Sequence, residues 1–108
     1  MPMDLPTLRK LLSMDPDDPL SRFALGRRLA EEPDAASCEE AIEHLRFANA
    51  RDPGHLATYH VLGQLLIRLG RVDDARDVLT RGLRRAEGLG EGMGRDLGPA
   101  MEALLNAL

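Results

Sequence analysis

Apolar residues recur along this chain at the three- and four-residue spacings of helix faces, and the punctuation between them divides it into six predicted helices. The first, over residues 4–14, carries Leu5, Leu8, Leu11 and Leu12 on one face, with Asp4 as N-cap and Pro6 in the first turn. Asp18 caps and Pro19 opens a second helix that runs to about Glu31. The third is expected to start at Ser37, where Ser37 and Glu40 have the S-x-x-E spacing of a capping box, and to end before Asp52-Pro53-Gly54. A fourth, from about His55 to Leu69, stops at Gly70, which suits a left-handed C-cap. The fifth covers about Val72 to Glu87. Four glycines in the seven residues Gly88–Gly94 then predict a mobile turn, since each disfavours helix by roughly 1 kcal/mol relative to Ala. In the last helix, 95–108, Leu97, Met101, Leu104, Leu105 and Leu108 form one narrow stripe, with Pro99 expected in the first turn.

The helices repeat. Ala41-Ile42-Glu43-His44-Leu45-Arg46-Phe47-Ala48 and Ala75-Arg76-Asp77-Val78-Leu79-Thr80-Arg81-Gly82 lie 34 residues apart and match small, Leu and small positions in order. Upstream of each stands an L-G-x-x-L segment, Leu25-Gly26-Arg27-Arg28-Leu29 and Leu62-Gly63-Gln64-Leu65-Leu66, the first unit having three extra residues between its helices. These residues resemble the tetratricopeptide repeat (TPR), in which an aromatic precedes L-G-x-x-Y, then A-x-x-x-F, Ala and a closing Pro. Arg22 stands in place of the first opening aromatic, whereas Tyr59 keeps the second; Leu29 and Leu66 replace the Tyr, and Glu87 replaces the second Pro. The spacing of Leu8 and Leu11 to Pro16 copies that of Leu45 and Ala48 to Pro53, so the first helix reads as the second half of a degenerate repeat.

What the resemblance implies is an all-α fold, a short right-handed α-solenoid of stacked antiparallel helix pairs, because one repeat cannot bury its apolar face alone. Residues 1–108 then form a single TPR-like domain: an N-terminal capping helix at 4–14, repeats at 19–53 and 55–87, and a C-terminal capping helix at 95–108. In the family the first helix of each pair lines a concave groove. Carried over, the lining positions are Phe23, Arg27 and Glu31 on one helix and His60, Gln64, Ile67 and Arg68 on the next, beside Leu20, Ala30 and Ala57. Phe23 and Ile67 would give apolar contact, Arg27 and Arg68 charge-assisted hydrogen bonds to an acidic or carboxylate-bearing peptide, and Gln64 backbone pairing. The carboxylate-clamp subfamily that holds chaperone C-termini needs Lys and Asn where Phe23 and Arg27 stand, and Asn where Val61 stands, which argues against that partner.

Composition narrows the function. With two Phe, one Tyr and no Trp, packing falls to Leu and Ala. A net charge of −4 argues against nonspecific nucleic-acid binding, and Arg76, Arg81, Arg84 and Arg85 complement a helix dipole begun by Asp73, Asp74 and Asp77. The lone Cys38 can close no internal disulfide, Met1–Leu12 lacks the apolar core of a signal peptide, and no run approaches membrane-spanning length, so a cytoplasmic location is expected. His55 and His60 are five apart rather than four, Glu40 and His44 read as a surface pair, and Cys38 has no base beside it. Around Asp15, Asp17 and Asp18, Leu20 and Gly26 occupy the places of a calcium loop's Gly and Glu. No catalytic residue, metal or cofactor is therefore expected. The reading is a non-enzymatic protein-interaction module that binds a peptide or partner helix in the groove. The alternative is a self-association unit that forms homodimers through the groove or an under-protected end.

Overall fold

The computed structural model describes residues 4–89 and 94–108, all helix and connecting turns. Among them lie α1 (Leu5–Met14), α2 (Pro19–Leu29), α3 (Ala35–Arg51), α4 (Leu56–Arg68), α5 (Val72–Gly88) and α6 (Gly94–Asn106). The fold is all-α, with neighbouring helices packed in sequence as in a TPR-like helical array. The chain divides into two compact units, residues 1–53 and 54–108, at the point where the sequence closes its first repeat.

In the first unit α2 packs chiefly on α3, and α1 on α2. Asp4 caps α1 by accepting from the Thr7 amide at 3.0 Å, and Asp18 caps α2 through the Leu20 and Ser21 amides. Leu8, Leu25, Leu29, Ala41, Leu45 and Ala48 form the core. Gly26 is buried there, and a Cβ on it would stand 2.9 Å from Leu45 Cγ and 3.2 Å from the Ala41 carbonyl.

In the second unit α4 packs on α5, and α6 covers α5 while touching α4. Leu62, Leu66, Ala75, Val78, Leu79 and Met101 are buried, each large apolar side chain contributing about 2 kcal/mol in removal from water. Gly63 lies against the Leu79 side chain, and Gly82 against Tyr59 and Met101. At the end of α4, Gly70 takes φ +78°, the Arg71 amide donates to the Leu66 carbonyl and the Gly70 amide to that of Ile67. These are the two bonds of a Schellman cap, as the glycine there predicts.

Four boundaries differ from expectation. α3 opens two residues before Ser37, because Asp34 is the cap: its carboxylate accepts from the Ser37 amide at 2.9 Å, and Glu40 is turned away to other partners. α2 ends at Leu29, so Glu31 lies in the turn beyond it rather than on the helix. Gly88 closes α5 and Gly94 opens α6, while the middle of the expected mobile turn, residues 90–93, lies outside the described residues. With α6 starting at Gly94, Pro99 falls inside the helix rather than in its first turn, at the loss of one backbone hydrogen bond.

The glycines yield a contrast. Gly63→Leu forces a side chain into the space of Leu79 and should lower unfolding free energy by at least about 1–3 kcal/mol in urea denaturation. Gly88→Ala, whose Cβ meets nothing within 4 Å, should be neutral or stabilising by roughly 0.5–1 kcal/mol. Equal effects at the two positions would contradict this packing.

Candidate functional site

The expected lining residues, Ala30 and Glu31 apart, fall on two helices, one in each unit. On α2, Leu20 and Arg27 are exposed and Phe23 is half-buried; Phe23 and Arg27, one turn apart, share a side. No carboxylate among the described residues pairs with Arg27, while Phe23 has a contact within the chain. Ala30 is buried and unavailable for contact. Glu31, placed beyond the helix, lies 3.7 Å from the Arg28 guanidinium. On α4, His60, Gln64, Ile67 and Arg68 follow one another at i, i+4, i+7 and i+8, and so share a face. Gln64 and Arg68 are exposed, and Arg68 already interacts within the chain. Ala57, His60 and Ile67 are half-buried, and burial pushes the His60 imidazole below its ordinary pKa, towards the neutral ring.

A second polar centre lies within the first unit, and sequence reasoning found only part of it. Arg9 on α1 grips the Glu40 carboxylate on α3 with two hydrogen bonds, of 2.6 and 2.9 Å. Glu40 also meets His44 Nε2 at 3.1 Å, and His44 Nδ1 stands 3.2 Å from Arg22 Nη1. A guanidinium can only donate, so Nδ1 accepts and the ring N–H is at Nε2, donating to Glu40. Arg22 Nε donates to the Pro16 carbonyl, and its guanidinium lies 4.1 Å over the Phe47 ring, which Arg51 approaches at 4.9 Å. Glu40 and His44, read from sequence as a surface pair, thus do pair, but His44 is buried. It lies on α3 one residue before the buried Leu45, with Arg22 on one ring nitrogen and Glu40 on the other.

The electrostatics follow from the bidentate clamp. The Arg9 guanidinium, followed by the His44 hydrogen bond, holds the Glu40 carboxyl at about 2 against an ordinary 4.5, with desolvation opposing; the same contact raises Arg9. Beside this network lies an open pocket of about 240 Å³. Arg9, Ser13, Arg22 and His44 supply its polar lining, and Leu12, Pro16 and Leu25 its apolar lining. The signal for the network was available: Arg22 occupies an aromatic slot in the repeat, and a cation at such a position needs partners. What the sequence lacks is the distance from Arg9 to Glu40, which are 31 residues apart.

In the second unit the same slots are filled in reverse. Tyr59 corresponds to Arg22 and Arg81 to Phe47, and Arg81 stands 6.0 Å from the Tyr59 ring. The cation and the ring have exchanged helices. Arg76 and Arg81 pair with Asp73 and Asp77 on their own helix, each at 3.2 Å. Among the described residues no group of three His, Cys, Asp or Glu side chains could hold a metal ion, and no helix is long and apolar enough to cross a membrane.

Comparison with known proteins agrees with the repeat. The family model described as tetratricopeptide repeat matches residues 34–88, from the cap of α3 to the end of α5. A TPR repeat-containing protein of Pseudomonas aeruginosa is 34% identical over 79 residues, which cover 73% of this chain and 72% of that protein.

The low Glu40 value sets a pH dependence. Its folded-state pKa lies below the unfolded one, so its stabilisation is complete above about pH 4.5 and is lost as pH falls towards 2. Arg9 and Glu40 are 49% and 32% exposed, which reduces the effect through solvent screening. Glu40→Gln should therefore cost roughly 1–2 kcal/mol at pH 7, a gap that closes below pH 4.5. Urea midpoints of both proteins across this range test it; a gap independent of pH would remove Glu40 as its cause.

Proposed function

The chain belongs to the tetratricopeptide repeat family, and from that premise we propose that it is a non-enzymatic interaction module whose α2 and α4 faces bind a peptide or helix of another protein. Repeats of this family are generally protein-interaction modules and generally non-catalytic. The observation that carries the reading is Arg27: exposed, beside Phe23, and without a carboxylate of its own among the described residues. A cation left unpaired next to a half-buried aromatic offers a partner both a charge-assisted hydrogen bond and apolar contact. On α4, Gln64 can pair with an extended backbone, Ile67 adds apolar area, and Arg68 a second positive charge. His60, shifted towards neutrality, contributes a ring rather than a charge at neutral pH. The partner class is an acidic or C-terminal peptide segment.

Two repeats present a small surface, so affinity on the order of micromolar, about 8 kcal/mol, is expected. Binding should weaken with added salt, because screening acts on exposed charges. Affinity capture from the native cell with the wild type and with an Arg27→Glu/Arg68→Glu variant is the test. The variant should lose the partner while melting within a few degrees of the wild type, since exposed charges add little to stability. A partner retained by the double variant would move the site off these faces. Sedimentation over a range of concentrations separates this reading from self-association, which requires a mass that rises with concentration.

A further inference from the structure

The pocket beside α1 lies on another side of α2 from Phe23 and Arg27, and its inventory is unusual for a surface hollow. Its polar lining contains two guanidinium groups, Arg9 and Arg22, and Arg9 is clamped to one carboxylate outside the lining, Glu40; the three charges sum to +1. A guanidinium has five N–H donors. Arg9 commits two to Glu40, and Arg22 one to the Pro16 carbonyl and one to His44, so each retains three. Both heads are held in place, Arg9 by its bidentate clamp and Arg22 by stacking on Phe47, so the ordering of two long side chains precedes any ligand. The hydroxyl of Ser13 donates to the Lys10 carbonyl at 2.6 Å, which leaves its oxygen lone pairs free but no further proton to give. The remaining lining, Leu12, Pro16 and Leu25, is apolar.

We infer that this pocket binds a carboxylate borne on a short branched apolar group, with Arg9 and Arg22 on the carboxylate and Leu12, Pro16 and Leu25 around the apolar part. Surplus positive charge with uncommitted planar N–H donors selects an oxyanion, and a carboxylate matches a guanidinium fork. The apolar lining favours an acid with a hydrocarbon body over a bare inorganic anion. Size sets the rest: about 240 Å³ falls below the roughly 300–1,000 Å³ of pockets for drug-sized ligands, and suits a group no larger than one amino-acid residue. Such a group is either a free small acid or the terminal residue of a peptide. The inference does not depend on the α2 and α4 faces, and each can fail without the other.

The probes are isovalerate, its neutral amide isovaleramide, inorganic phosphate and the peptide N-acetyl-Gly-Gly-Leu with a free carboxyl terminus, titrated into the full chain and followed by NMR. Isovalerate should give saturable shifts in the millimolar range at the Leu12 and Leu25 methyls and the Arg9 and Arg22 side-chain N–H signals. Isovaleramide should give none, and phosphate should bind more weakly. Arg22→Gln and Arg9→Gln should each weaken isovalerate about tenfold, the loss of one charge-assisted interaction, whereas Arg84→Gln, an exposed charge in the second unit, should not. If Arg22→Gln fails to fold by circular dichroism, the half-exposed Arg9 decides. A peptide that binds more tightly than isovalerate makes the ligand a chain terminus, and the reverse order a free acid. No saturable shift, equal binding of the amide, or phosphate binding as tightly as isovalerate would overturn the assignment.

Discussion

Two helices approach closely only where one of them presents almost no side chain, and this chain meets that condition with a glycine against a leucine in each unit. Gly26 faces Leu45, and Gly63 faces Leu79. Because interiors are packed at crystal-like density, this contact fixes the rotation of α2 on α3 and of α4 on α5. The rest of each stripe then goes to the core without further choice: Leu25 and Leu29 flank Gly26, Leu62 and Leu66 flank Gly63, and Ala41, Ala48 and Ala75 keep the opposing helices near. Rotation also decides which residues cannot be buried, and these are the ones available for recognition.

A fixed rotation imposes an obligation at the end of the stripe. Arg22 is one turn ahead of Gly26, and so it is carried towards α3 with its charge. Phe47, His44 and the Pro16 carbonyl meet it there, and His44 passes the connection to Glu40 and Arg9. The second unit puts Tyr59 at that position, with no charge to satisfy, and Arg81 lies over the ring. Either arrangement joins a cation to an aromatic face, worth about 0.5–1 kcal/mol at an exposed site and more when desolvated. The repeat therefore preserves a type of contact while exchanging the residues that make it. It also makes α1 integral to the first unit, because the Glu40 carboxylate that balances this centre is held by Arg9.

The fold was legible where one residue's chemistry settles local structure. Asp4, Asp18 and Gly70 cap as their side chains or backbone freedom require, and Gly26, Gly63, Ala41, Ala48 and Ala75 are buried as the 34-residue repeat demands. It was misread where two residues compete for one role. Asp34 and Ser37 could each cap α3, and the carboxylate won; the winner is visible only once Glu40 is known to be occupied by Arg9. Glu31 and Pro99 were misplaced because each depends on a helix boundary, of α2 and α6, that tertiary packing sets. The groove positions came from the repeat register, which says which way a residue points but not what its neighbours already hold. That is why Arg27 and Arg68, alike in sequence, differ in the structure: Arg68 has an interaction within the chain, and among the described residues no ion pair holds Arg27.

Seen around its axis, α2 separates two kinds of positive charge. Successive residues turn by about 100°, so Phe23 and Arg27 lie beside, not on, the stripe of Arg22, Leu25, Gly26 and Leu29. Arg22 is held by stacking and hydrogen bonds, whereas Arg27 is exposed to solvent. A fixed guanidinium loses little freedom when a ligand arrives and discriminates by geometry; a mobile one adapts to many peptides and discriminates chiefly by charge. The pocket side of α2 is thus equipped for a small acid of defined shape, and the Arg27 side for a broader class of acidic chains. Changing Gly26 would disturb both at once, since the same contact with Leu45 sets the angle from which each is presented.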